Sequence, residues 1–371
     1  MANMIDYVLW RGDIDFSVSS LNAVDNLILC QITYLNYEGI VSSEFLKKGP
    51  TLREVAAKFR ADSDFEKRSD VGAMINKKTV ELLMLASESE RFGSLRMSGY
   101  LNKIDEIKEE QFCAVTYTCD SLWNFIVYRG TDDTIVGWKE DFNLGYMDVV
   151  PAQTDALSYL EKASKVLKGK IIVGGHSKGG NLAIYSASMS DEKIQKRITD
   201  VYNNDGPGFK KEFFETSSYA AIRNKEHTFV PQLSIIGMLF SHSDAYCTVE
   251  SDAQGLYQHD PFSWHVMSKE FVELSDTNEQ SKFIGKTVNE WINALNREQR
   301  ELFIETVFGI LRGTNATTNT ELTENIGESL MKMLKAMTKL DAQTRDATFK
   351  ILQLLFKNAR ENVGELRRNQ S

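Results

Sequence analysis

The sequence predicts an α/β protein built on a mostly parallel sheet with helical regions at both ends, and three observations carry that expectation. Between about residues 112 and 249, short runs rich in β-branched and aromatic residues alternate with segments of helical period. Such alternation requires crossover helices that cover both faces of a parallel sheet. One junction, Ile171-Ile172-Val173-Gly174-Gly175-His176-Ser177-Lys178-Gly179-Gly180-Asn181-Leu182-Ala183, reads as an apolar strand, a glycine-bounded turn and a helix start. The flanks are helical in period. The expected organisation is an N-terminal helical region over 1–90, an α/β core over 91–270 and a C-terminal helical region over 271–371.

Taken in order, Leu21, Val24, Ile28 and Leu35 recur near helical spacing and predict a helix over 21–37. Thr51 and Glu54, just after Pro50, form a capping-box pattern that opens a second helix through Val55 and Phe59. The apolar run 80–86 predicts a third. Segments 92–101, 112–117 and 123–128 then read as strands. A helix over 156–167 feeds the strand before Ser177, and another starts at Asn181. Strand 200–204, helix 210–224, strand 228–230 and a last short strand 245–249 complete the alternation. Farther on, Ile284, Val288, Trp291, Ile292 and Leu295 share one helical face, Phe303, Ile304, Val307, Phe308 and Leu311 another, and Leu330, Met333, Leu334 and Met337 a third. A final helix is expected over 347–359.

The chain has 371 residues, of which 42% are hydrophobic and 26% charged, values ordinary for a globular protein. A formal net charge of −9 argues against nucleic-acid binding, which wants basic patches. Neither a secretory signal nor an apolar run of the roughly 18 residues needed to cross a bilayer is visible. Cys30, Cys113, Cys119 and Cys247 have no metal-type spacing and read as reduced thiols of a cytoplasmic protein. No metal or other cofactor is expected, and nothing indicates a membrane surface.

In Gly175-His176-Ser177-Lys178-Gly179 the serine falls on a strand-to-helix turn, the context of a nucleophile elbow. Side chains at the flanking glycines would collide with neighbouring backbone, and the helix amides point at whatever the serine attacks. The alternative of a phosphate loop wants its lysine followed by Ser or Thr, whereas Lys178 is followed by Gly179.

Three motifs resemble the class 3 (fungal-type) lipases of the α/β-hydrolase superfamily, and more closely an uncharacterised bacterial branch, the Mbeg-like proteins. Tyr128-Arg129-Gly130-Thr131 followed by Trp138 and Asp141 is similar to the lipase R-G-T…W…D segment, and the elbow is the second motif. Asn204-Asp205-Gly206-Pro207-Gly208-Phe209 with Gln258-His259-Asp260 looks like the bacterial branch, as do Arg11-Gly12-Asp13 and Leu21-Asn22-Ala23-Val24-Asp25-Asn26.

The resemblance implies a serine hydrolase with a triad in the order Ser, acid, His. A serine hydroxyl needs a base to take its proton, and histidine titrates in the right range. Ser177 is the expected nucleophile and His259 the base, with His265 in reserve. His176 reads as elbow packing; His227 and His242 read as structural. Class 3 lipases carry the acid after the next-to-last strand, where segment 231–237 offers no carboxylate. Asp205, at the end of the preceding strand, is therefore the expected acid, with Asp244 as the alternative. The amides of Lys178 and Thr131 are the expected oxyanion donors. Whether the Lys178 ammonium tunes His259 or reaches solvent stays open. The implied substrate is a small-molecule or lipid acyl ester, and segment 235–240 would line an acyl pocket, form a lid or lie beneath the C-terminal helices. A thioesterase or peptidase on the same fold, or a catalytically inactive scaffold whose helical flanks bind a protein partner, are the rival readings.

Overall fold

The computed structural model describes residues 1–275 apart from residues 73, 74, 106, 109, 133, 145, 146, 235, 244 and 254. The helices expected beyond 275, Asp244, and the side chains of Trp138 and Asp141 lie outside what is described.

Eight strands form one mixed sheet, with a separate two-stranded hairpin. In chain order the strands are β1 (Arg96–Asp105), β2 (Glu110–Cys119), β3 (Trp123–Tyr128), β4 (Ile171–His176), β5 (Ile198–Asn204), β6 (Glu226–Pro231), β7 (Cys247–Val249), β8 (Val266–Met267), β9 (Glu270–Phe271) and β10 (Glu273–Leu274). The sheet runs β1-β2-β3-β4-β5-β6-β7-β10. The β3 to β7 neighbours are parallel, while β1, β2 and β10 pair antiparallel at the two edges. Every residue of β3 and of β4 is buried, as the apolar runs of a doubly covered parallel sheet require.

Helices cover both faces. One face carries α1 (Met4–Arg11), α2 (Ala23–Ile32), α3 (Leu52–Ala61), α4 (Phe65–Ser69), α5 (Lys78–Glu88) and α6 (Glu90–Gly93). Leu27 and Ile28 of α2, Val55 of α3 and Leu82 of α5 share one apolar core with Val115, Phe125, Val127 and Ile172 of the sheet. After β3 comes α7 (Ile135–Asn143). The opposite face carries α8 (Pro151–Val166) and α9 (Lys178–Met189), whose Ala156, Leu160, Leu182 and Ala183 pack on Ile126, Tyr128, Val173 and Val201.

Local chemistry explains the helix starts. Thr51 accepts from the Glu54 amide and Glu54 reaches back to the Thr51 amide, the capping box read from sequence. Asn22 and Asp25 build the same device at α2, each cap stabilising by about 1 kcal/mol. Asp25 then pairs with the Arg91 guanidinium, both fully buried. Arg91 also donates to the carbonyls of Ile14, Ser19 and Ser20, which fixes the loop between α1 and α2.

Several expectations need correction. The strand predicted over 92–101 starts at Arg96, after the helical turn Glu90–Gly93, and runs to Asp105. The helix predicted over 21–37 ends at Ile32. In place of a helix over 210–224 there are 3-10 turns Lys211–Glu215 and Arg223–Lys225 around the single turn Ser217–Ala220. Thr216 interrupts it by accepting from the Tyr219 amide and donating to the Phe213 carbonyl, and such local bonds compete with a continuous helix. The strand ending at Val249 is not the last, because Glu273–Leu274 pairs with β7. An exposed two-residue edge strand carries no periodic signal. Among the described residues no helix is long and apolar enough to cross a membrane.

Candidate active site

Ser177 sits where β4 turns into α9, at φ 58° and ψ −134°, a backbone region that side chains disfavour. Holding it there costs on the order of 1–3 kcal/mol, which the surroundings must overcome. The Ser177 amide donates to the Asn204 carbonyl at 2.9 Å, and the Gly180 amide closes the turn onto the Ser177 carbonyl at 2.9 Å. A Cβ on Gly179 would lie 2.1 Å from the Tyr128 carbonyl oxygen, and one on Gly175 would lie 2.2 Å from the Gly179 carbonyl carbon. Both glycines are therefore sterically required, as the elbow pattern predicts.

The next strand end carries Asp205, the expected acid. Asp205 follows β5 at φ 52°, fully buried, with its amide bonded to the Phe229 carbonyl of β6. Its Oδ1 accepts from the Ser234 hydroxyl at 2.5 Å, and its Oδ2 accepts from His259 Nδ1–H at 2.6 Å. His259 ends the 3-10 turn Gly255–His259, after β7. A proton on Nδ1 leaves Nε2 with its lone pair, the form a general base needs. Among the described residues the Ser177 hydroxyl makes no hydrogen bond.

His176 does more than fill space. Its Nε2–H donates to the His259 carbonyl at 2.9 Å, and its Nδ1 accepts from the Tyr34 hydroxyl at 3.0 Å. The two imidazole rings lie 4.5 Å apart. Burial, and secondly the charge of His259, holds the His176 pKa well below the ordinary histidine value. A neutral ring with one donor and one acceptor is what these two partners require.

A second link comes from α2. Asn26 and Asn204 exchange side-chain amide bonds at 2.9 and 3.2 Å, and Asn204 Nδ2 also donates to the Gly175 carbonyl at 3.0 Å. The N-terminal helices thus brace the elbow from behind through Asn26 and Tyr34. Sequence reasoning missed both roles. A polar Asn26 flanked by Val24, Leu27 and Ile28 on an apolar helix was the available signal.

The loop after β3 crosses Ser177. A Cβ on Gly130 would lie 2.9 Å from Ser177 Cβ, so Thr131 follows directly beside the serine. Arg129 Nη2 donates to Asp132 Oδ2 at 2.9 Å, and Asp132 Oδ1 accepts from the Thr134 amide and hydroxyl at 2.9 and 2.6 Å. The Lys178 side chain answers its open question with a third alternative. It reaches neither His259 nor solvent but is buried, with Nζ donating to Gln111 O, Gln111 Oε1 and Glu140 Oε2 at 2.8, 2.8 and 2.7 Å.

The remaining histidines go elsewhere. His265 lies 3.2 Å from Glu250 and 3.5 Å from Asp252, so the reserve base has its own carboxylates. His227 pairs with Asp200 at 3.0 Å and stacks on Tyr202. His242 bonds the Leu239 carbonyl, and burial pushes its pKa down to about 4. A Cβ on Gly237 would lie 2.2 Å from Asp205 Oδ1, so Gly237 packs against Asp205. Beside α9 a crevice of about 490 Å³ is lined by Leu144, Met147, Tyr185, Phe209 and Phe213. Its inner wall includes Asn181, one helical turn beyond Ser177, and Lys210 and Asp148 pair at 2.5 Å along its lining.

A family model described as Mbeg1-like matches residues 86–309, more than half of the chain. Two solved structures of a Rhizomucor miehei lipase propeptide complex are similar at 15% identity and a TM-score of 0.36. One of them, a deletion mutant, aligns over 55% of this chain and 66% of its own length, just under two thirds; the native form aligns over 62% and 74%. A TM-score of that size carries no conclusion about fold or chemistry. No curated protein matches the chain.

Proposed function

We propose that this chain, which belongs to the Mbeg1-like family, is a serine hydrolase of the α/β-hydrolase fold that cleaves an acyl ester through Ser177, His259 and Asp205. The observation that carries the reading is the 2.6 Å hydrogen bond from His259 Nδ1 to buried Asp205, beside a serine held at φ 58°.

In the proposed reaction His259 Nε2 takes the Ser177 proton as the hydroxyl oxygen attacks the ester carbonyl. Asp205 stabilises the imidazolium that forms, and Ser234 occupies the other carboxylate oxygen so that Oδ2 stays aimed at the ring. The Lys178 and Thr131 amides receive the developing oxyanion, each contributing roughly 3 kcal/mol of transition-state stabilisation. Collapse expels the alcohol, which takes the proton from His259. A water activated by the same nitrogen then releases the acid. The Ser177–His259 hydrogen bond must close on substrate binding, as catalytic contacts in unliganded sites commonly do. The crevice beside α9 combines apolar Leu144, Met147, Phe209 and Phe213 with Asp148, Lys210 and Glu212, and is the proposed place for the acyl group.

Treatment of purified protein with a fluorophosphonate is expected to label wild type and not Ser177→Ala. A chain-length series of nitrophenyl esters run beside acyl-CoA substrates separates an esterase from a thioesterase. The unbonded Ser177 hydroxyl favours one rival, a binding scaffold without turnover. Wild type that resists the fluorophosphonate would remove the hydrolase reading and leave that rival standing.

A further inference from the structure

We infer that Lys178 is a positioning residue whose buried ammonium, acting through Glu140 and Gln111, holds the Thr131 loop in place over the nucleophile. The inference rests on the hydrolase reading and gives a role to the one charged side chain of the elbow.

The contacts form a continuous path. Lys178 Nζ bonds Glu140 Oε2 on α7 and both oxygens of Gln111 on β2. Glu140 makes two further bonds: Oε2 accepts from the Gln111 amide at 3.1 Å, and Oε1 accepts from the Ala152 amide at 2.9 Å in the first turn of α8. One carboxylate therefore joins the elbow, the second strand and the two helices that follow the Thr131 loop. Gly137 of α7 closes the path, since a Cβ there would meet Thr131 Cγ2 at 2.9 Å and Gln111 Oε1 at 3.1 Å. Thr131 thus leans on the helix that Lys178 anchors. The same residue contributes its backbone amide to the site and, through its side chain, fixes where the second amide stands.

Both partners are fully buried. An ammonium so enclosed, with a carboxylate and two amide oxygens around it, is spent on structure and is not directed at His259. Misplacing an oxyanion donor by about 1 Å costs on the order of 100-fold in rate, so small movements of α7 reach the chemistry.

The test compares Lys178→Met with the double variant Lys178→Met/Glu140→Met, which removes both charges and avoids leaving one buried alone. Two readouts are taken: amide hydrogen exchange over 129–137 with β5 as internal reference, and kcat and KM on a nitrophenyl ester. The expected result in both variants is exchange over 129–137 at least about 10-fold faster with β5 unchanged, and kcat roughly 10- to 100-fold lower with KM within about threefold. The double variant is expected to recover melting temperature but neither exchange protection nor kcat. Unchanged exchange over 129–137, or a double variant with wild-type kcat, overturns the inference. Wild type that neither reacts with the fluorophosphonate nor turns over the ester removes the hydrolase reading instead, and the exchange arm still decides whether Lys178 holds the loop.

Discussion

On either side of Ser177 the chain is anchored by different physics. Its N-terminal neighbour, His176, is a neutral ring between the Tyr34 hydroxyl and the His259 carbonyl, and so connects the elbow to the loop of the base. Its C-terminal neighbour, Lys178, is a buried cation on Glu140 and connects the elbow to the helix behind the Thr131 loop. Losing one partner of a neutral buried hydrogen bond costs about 1–3 kcal/mol, whereas leaving half of a buried ion pair costs roughly 3–5 kcal/mol. The difference teaches that the His259 loop is held by a contact that can yield, and the side of the Thr131 loop by one that cannot be broken singly.

The largest expected effect belongs to neither neighbour but to Asp205, the acid of the proposed triad. Asp205→Asn is expected to lower ester kcat by roughly 10³- to 10⁴-fold, because an amide no longer secures the Nδ1–H tautomer or the imidazolium. A loss below about tenfold would move the acid to another residue and detach the base loop from the comparison. Next come the two anchors. Urea unfolding of Glu140→Leu is expected to show a loss of about 3–5 kcal/mol, and of Tyr34→Phe about 1 kcal/mol. Equal losses would break the contrast between the two sides.

The smallest effect is a pH signature confined to the imidazole side. Burial keeps His176 neutral in the folded protein, while the unfolded chain takes up a proton there near pH 6.5. The unfolded state then binds more protons below that pH, so the stability due to His176 is complete above it and declines as the pH falls. His242, pushed down to about 4, acts in the same sense between pH 6.5 and 4. Unfolding free energies measured from pH 7.5 to 5 are expected to fall less steeply, by up to one proton, in His176→Asn than in wild type. Parallel curves would show that His176 is already charged in the folded state.

How much of this was legible depends on how far apart the interacting residues lie. The Thr51–Glu54 cap, the limits of β3 and the clash of a Gly175 Cβ with Gly179 follow from neighbours in the chain, and sequence patterns report them, whereas Gly179 is required by Tyr128 of a distant strand. Break points such as Thr216 are less visible, since a threonine inside a helical pattern signals interruption only when its hydroxyl has a carbonyl to reach. Among site residues, Ser177, Asp205 and His259 stood out by motif, whereas Tyr34, Asn26, Ser234 and Glu140 did not. Each of those four has an ordinary local context and acquires its role through a partner 29 or more residues away.

By itself the sequence determined the alternation that builds the sheet and the turn that lifts one serine above it, because strand period, helix capping and the clash of a Gly175 Cβ with Gly179 are local quantities. Tertiary structure alone decided what surrounds that serine. It brought Asp205, itself bonded by Ser234, to His259 Nδ1, joined Tyr34 to His176, and turned Lys178 inward to Glu140. Those contacts exist only after strands from distant parts of the chain lie side by side, and a buried hydrogen bond or ion pair is worth its free energy only once the fold has excluded water from it.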